Sequence, residues 1–161
     1  MADKASTSPL TSLARTPADI ALLLSEIPAS SVTIKQTPGE FSALEHVCHM
    51  RDIEVEGYCV RIQQILYEDN PFLSDIDGSR LAIERDYNRQ SLNEAVSDFA
   101  TARRHNLTML NNASKSEFDR EGELEGTGTV TLARLVEMMV EHDEGHLEEL
   151  QRLSRYLKTR D

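Results

Sequence analysis

Two S-x-x-E boxes, Ser42–Glu45 and Ser91–Glu94, each stand directly before a long run of apolar residues at helical spacing. In such a box the serine hydroxyl accepts from the backbone N–H three residues on, and the glutamate reaches back to the serine N–H. Two orphan donors of a helix start are thereby satisfied together. The first box opens a helix that should run to about Tyr67, with Leu44, Val47, Cys48, Val55, Tyr58, Cys59, Ile62, Ile65 and Leu66 on one face. The second opens a helix whose stripe is Leu92, Ala95, Val96, Phe99, Ala102, Leu107 and Leu110, fading near Asn111. Two more helices flank these. One runs from Pro17 to about Ile27, with Thr16 as N-cap, proline at its first position and Pro28 as its stop. The other starts between Thr129 and Thr131 and carries Leu132, Leu135, Val136, Met139, Leu150, Leu153 and Leu157 on one stripe. No segment shows a convincing strand pattern. The expected fold is all-α, a four-helix bundle formed by residues 16–161 as one domain, with residues 1–15 as a polar tail.

The connection between the second and third helices sharpens this. It holds 23 residues, YEDNPFLSDIDGSRLAIERDYNR, where an antiparallel hairpin needs only a few. A helix of 25 residues is roughly 37 Å long, and a partly extended segment of this size can run back along it. The second and third helices are then parallel, and the topology is up-down-down-up with a long crossover.

Composition narrows the partners. The net charge of −11 argues against nucleic acid or an anionic membrane, both of which need a basic face. No apolar run approaches the ~18 residues of a membrane span, and the first residues lack a signal-peptide core. The expectation is a cytoplasmic protein. Cys48 and Cys59 lie 11 residues apart on one predicted helix, about 16 Å along its axis. That is too far for a disulfide, and they read as small helix residues in a reduced compartment.

The histidines carry the chemistry. His142 and His146 fall within about 80° of Leu132 on the helical wheel, so both lie on the inward stripe, while Glu141, Glu144, Glu148 and Glu149 fall largely off it. Two imidazoles at i and i+4, with Cβ atoms about 6 Å apart, can chelate one ion. They can equally be core histidines bonded to each other or to a facing helix. A third ligand must come from another helix, and the second offers His46 and His49. Neither sits on that helix's main stripe, but Ile53 and Val60 form a second apolar seam beside His49. H-D-E-G-H, from His142 to His146, also resembles the zinc-protease helix H-E-x-x-H. There the glutamate after the first histidine is the general base; here Asp143 replaces it, Gly145 weakens the helix, and no strand offers a substrate edge. A di-iron bundle needs two Glu-x-x-His repeats, and only Asp143-x-x-His146 comes near one.

Four stretches together resemble the DinB-like (DinB/YfiT) superfamily, from about Thr16 to Leu150. They are TPGEFSALEHVCHMRDIE, YEDNPFL, RDYNRQSLNEAVSDF and TLARLVEMMVEHDEGHLEEL. Phe41 stands where the family usually has tryptophan. The resemblance implies the up-down-down-up bundle and a divalent metal held by His49, His142 and His146. By the same resemblance His46 is a packing or capping-region side chain, and His105, which matches nothing, is exposed. The metal would be zinc or nickel first, with iron or copper as alternatives. By resemblance the expected activity is transfer of a low-molecular-weight thiol onto a small electrophile. The alternatives are a hydrolase using Asp52, Glu45 or Asp143 as base, and a non-catalytic, stress-related metal-binding protein. A homodimer is implied by the resemblance alone.

Overall fold

The computed structural model describes residues 8–160. Four long helical units build the bundle. The first is α1 (Pro9–Ser25). The second is continuous but composite, made of α2 (Ala43–Asp52), a π-helical segment (Ile53–Tyr58) and α3 (Cys59–Tyr67). A short helix, α4 (Gly78–Glu84), lies in the crossover, and α5 (Leu92–Asn112) and α6 (Leu132–Lys158) complete the bundle. The caps at Ser42, Ser91 and Thr131 form where their sequences place them, the first as a full box and the second through the serine alone. Ser42 and Glu45 form the full reciprocal box, with Glu45 Oε2 accepting from the Ser42 amide at 2.8 Å. Ser91 and Thr131 accept from the amides of Glu94 and Arg134.

Two apolar clusters fix the direction of each helix. One gathers Ile20 and Ile27, Ala43 to Met50, Ala95 and Phe99, and Leu150 to Leu157. The other gathers Leu13, Ile62 to Leu66, Leu110, and Leu132 to Met139. So α1 and α6 run from the second cluster to the first, and the composite helix and α5 run the other way. This is the up-down-down-up order.

A small sheet ties down the end that holds the second cluster. Strands β1 (Phe72–Leu73) and β2 (Glu121–Leu124) follow the ends of α3 and α5 and pair in parallel, while β3 (Gly128–Thr131) pairs antiparallel with β2. The β2–β3 turn places Gly126 and Gly128 at φ of +73° and +100°, a region costly for side-chain-bearing residues. The strands depart from the purely helical expectation. They are short, and Leu124 and Val130 are the buried apolar residues that pin the hairpin.

The first helix begins well before Pro17. Pro9 takes the first-turn position and Leu13 is fully buried, so the stretch 8–15 is mostly helix rather than polar tail; residues 1–7 lie outside the described residues. Pro17 therefore sits inside α1, where it offers no amide to the Leu13 carbonyl. Arg103 Nη1 supplies that bond instead, at 3.0 Å. Thr16 is not a cap; its hydroxyl donates to Asp143 Oδ2 at 2.6 Å.

The π segment explains another departure. The Cys59 amide bonds back to the Glu54 carbonyl, five residues away, so the turn holds an extra residue and the apolar register slips. Val55 and Val60, expected to face inward, are 45% and 44% exposed, and Glu54 is turned in at 1%. Ile53, the other member of the expected second seam, is buried.

Candidate metal centre

Between the two apolar clusters every bundle helix contributes polar residues, and these form two adjoining constellations. The first is an ion-pair network. Arg103 donates through Nε and Nη2 to Glu54 at 2.8 and 2.9 Å, and through Nη1 and Nη2 to Asp143 at 2.6 and 3.0 Å. With the bond to the Leu13 carbonyl, all five guanidinium N–H groups are used. Asn106 Nδ2 adds a bond to Glu54 Oε1 at 2.8 Å. Burial alone would favour the neutral guanidine, but the two carboxylates hold Arg103 firmly protonated.

The second constellation is the histidine cluster. His142 and His146 stack one turn apart on α6, and His49 reaches them from the last turn of α2. His49 Nε2 lies 3.1 Å from His142 Nε2, and His146 Nε2 lies 3.2 Å from the same atom. One ring nitrogen from each of the three histidines falls within 4.8 Å of the others. Ligands about 2.0–2.1 Å from a tetrahedral ion stand about 3.3 Å apart, so the spacing suits a divalent metal. The protonation state suits it as well, since an imidazole binds metal as the neutral base. Burial, reinforced by the neighbouring imidazoles, pushes His49 down to about 4 and His146 to about 2. Burial also lowers His142, with Arg103 and Arg61 adding to it against the opposing pull of Asp143.

Aromatic rings and one glycine fix these side chains. Phe41 packs on both His46 and His49, with centroids 5.5 and 5.3 Å away, and Tyr58 lies edge-on to His142. Gly78, at the start of α4, lies so close to His49 that a Cβ there would stand 2.5 Å from its Nδ1. That nitrogen is buried and has no hydrogen-bond partner among the described residues.

His46 is not simply packing. It is buried at 3% exposure, and its Nδ1 lies 2.9 Å from His146 Nδ1. Its Nε2 faces Glu149 Oε2 at 3.6 Å. The signal was present in the sequence as the i, i+3 spacing of His46 and His49. His105 is exposed, as expected.

The three carboxylates considered as bases are all engaged. Glu45 caps α2 and pairs with Lys35 at 2.8 Å. Asp52 is buried and accepts from Arg51, Arg85 and Tyr87; burial would raise its pKa, but these donors outweigh that and hold it low. Asp143 belongs to the Arg103 network, so it is neither a surface group nor a protease base.

A helical bundle whose middle layer gathers neutral imidazoles has the construction of a metal-binding protein rather than of a purely structural bundle. The family model of the DinB superfamily matches residues 12–150, and the chain belongs to that superfamily. Its fold is that of YfiT from Bacillus subtilis, described as a probable metal-dependent hydrolase with an unusual four-helix bundle topology. The two agree with a TM-score of 0.85 at 18% identity, over 98% of this chain and 94% of that one. No curated protein matches the chain. Among the described residues no helix is long and apolar enough to cross a membrane.

Proposed function

We propose that His49, His142 and His146 hold one divalent transition metal through their Nε2 atoms, zinc or nickel before iron or copper. We further propose that the site transfers a low-molecular-weight thiol onto a small electrophile. The observation that carries this is the convergence of three neutral imidazole nitrogens from two helices. Three protein ligands leave a coordination position open, as in catalytic rather than structural sites. When bound, the metal would act as a Lewis acid that lowers the pKa of a thiol ligand and presents it as thiolate. The chain's part is to keep its ligands neutral and fixed, which Phe41, Tyr58 and burial do.

The engaged state of Glu45, Asp52 and Asp143 favours this route over hydrolysis. A thiol already made acidic by the metal needs no protein carboxylate to take its proton, whereas an attacking water gains most from a positioned base. Hydrolysis is the second reading, favoured by the description of YfiT.

The test is elemental analysis of untagged protein, followed by assays of the metal-loaded form. Thiol consumption with an electrophile panel supports transfer. Ester or amide turnover without thiol supports hydrolysis. Stoichiometric metal with neither activity leaves a metal-binding protein without catalysis. Full metal retention by His142→Ala at pH 7.5 would show the ligand assignment to be wrong.

A further inference from the structure

The contact between His46 and His146 is short, partly buried and not one of those within the three-histidine set. A neutral imidazole carries one N–H, so of two Nδ1 atoms at 2.9 Å one donates and the other accepts. The direction is decided at the far end of His46. Its Nε2 faces the carboxylate of Glu149 at 3.6 Å, and that carboxylate also stands 3.8 Å from His146 Nδ1. A negative oxygen favours N–H on the atoms that face it. If His46 carried its proton on Nδ1, its Nε2 lone pair would face Glu149. His146 would then carry its own proton on Nε2, directed at the His142 nitrogen 3.2 Å away. With the proton on His46 Nε2, His146 donates from Nδ1 and its Nε2 lone pair is free.

We infer that His46 is a positioning residue. As acceptor from His146 Nδ1–H, and backed by Glu149, it fixes the tautomer and ring orientation that aim His146 Nε2 at the cluster. The consequence for metal affinity rests on the ligand assignment above; the tautomer does not. The arrangement is a carboxylate–histidine–histidine line, the outer support that ligating histidines commonly require. Its outer end is reached from solvent through a cavity of about 30 Å³ lined by Gln36, Glu40, Phe41, His46, Glu149 and Arg152. On the sequence, His46 and Glu149 are one turn before His49 and one turn after His146, so the pattern H-x-x-H with H-x-x-E encodes the support alongside the ligands.

Two measurements on the full chain test this. The first is the tautomer of His146 in metal-free protein at pH 7.5, read from long-range imidazole ¹⁵N correlations. Nδ1–H is expected, and Nε2–H overturns the inference. The second is zinc affinity by competition titration. His46→Leu keeps an apolar filler but removes the acceptor, and should weaken binding about 10–100-fold. His46→Asn places its Oδ1 near the lost Nδ1 and should restore most of that affinity. Unchanged zinc affinity in His46→Leu, or equal losses in both variants, would overturn the positioning role. Should His46→Leu fail to fold, the tautomer in the parent and in His46→Asn decides. A parent that takes up no zinc but shows Nδ1–H on His146 supports the His46 contact and counts against the metal reading alone.

Discussion

Replacing Arg103 with methionine should be the most damaging single change in the interior. The side chains of Arg103 and Glu54 are each 1% exposed and that of Asp143 is 4% exposed. Methionine fills part of the volume but leaves two buried carboxylates and the Leu13 carbonyl without their donor. Asn106 and Thr16 still donate to the two acids, but neither brings the positive charge the carboxylates are paired with. The loss at pH 7 should be about 4 kcal/mol, the middle of the ~3–5 kcal/mol seen when one partner of a buried pair is removed. In a domain of this size it corresponds to a fall in Tm of about 8–16 °C. Urea unfolding followed by circular dichroism measures it. A loss under about 1 kcal/mol at pH 7 would refute the reasoning. Replacing Arg103, Glu54 and Asp143 together by apolar residues of similar volume should recover much of the loss, because no charge is then left buried.

Metal-free protein should lose stability on mild acidification. His46 and His49 are pushed by burial from an ordinary 6.5 to about 4 in the folded chain. Above 6.5 both states are neutral and nothing is lost. Between 6.5 and 4 the unfolded chain takes up protons that the folded chain refuses, so stability falls as pH falls, by up to about 1.4 kcal/mol per pH unit for each histidine. A flat stability profile from pH 7 to 5 in denaturant titrations would contradict the burial of these rings. Gly78→Ala should force His49 or α4 aside, because the added Cβ has no room beside the ring. A zinc affinity and Tm equal to the parent's would show that the contact is not held in solution.

Much of the bundle was legible because helix starts and apolar stripes are local signals. Ser42, Ser91 and Thr131 cap where their spacing to the following residues required, and His142 and His146 face inward because four residues make about one turn. Besides the short strands and the early start of α1, three interior features were not legible. The π segment inserts a residue into the register, so Glu54 replaces Val55 on the inner face, and a wheel drawn at a constant angle per residue cannot follow it. Pro17 looks like a helix start because its missing amide is harmless there, and only a side chain 86 residues away along the chain, Arg103, makes it tolerable inside α1. Asp143 reads as surface charge in a run of acids, and its partners lie on α1 and α5. Each of these three concerns a polar group satisfied across helices, which no local pattern records.

The crossover has a consequence for access. The segment that returns the chain to the start of α5 also carries Gly78 onto His49, so one face of the cluster is covered by a seven-residue helix and not by a bundle helix. Only Leu81 and Ala82 of that helix are buried. Uncovering the face therefore asks for a local opening of the crossover, a unit whose stability can be far below that of the whole domain. The topology that makes the second and third helices parallel thus separates the free energy of exposing the histidines from the free energy of unfolding the protein.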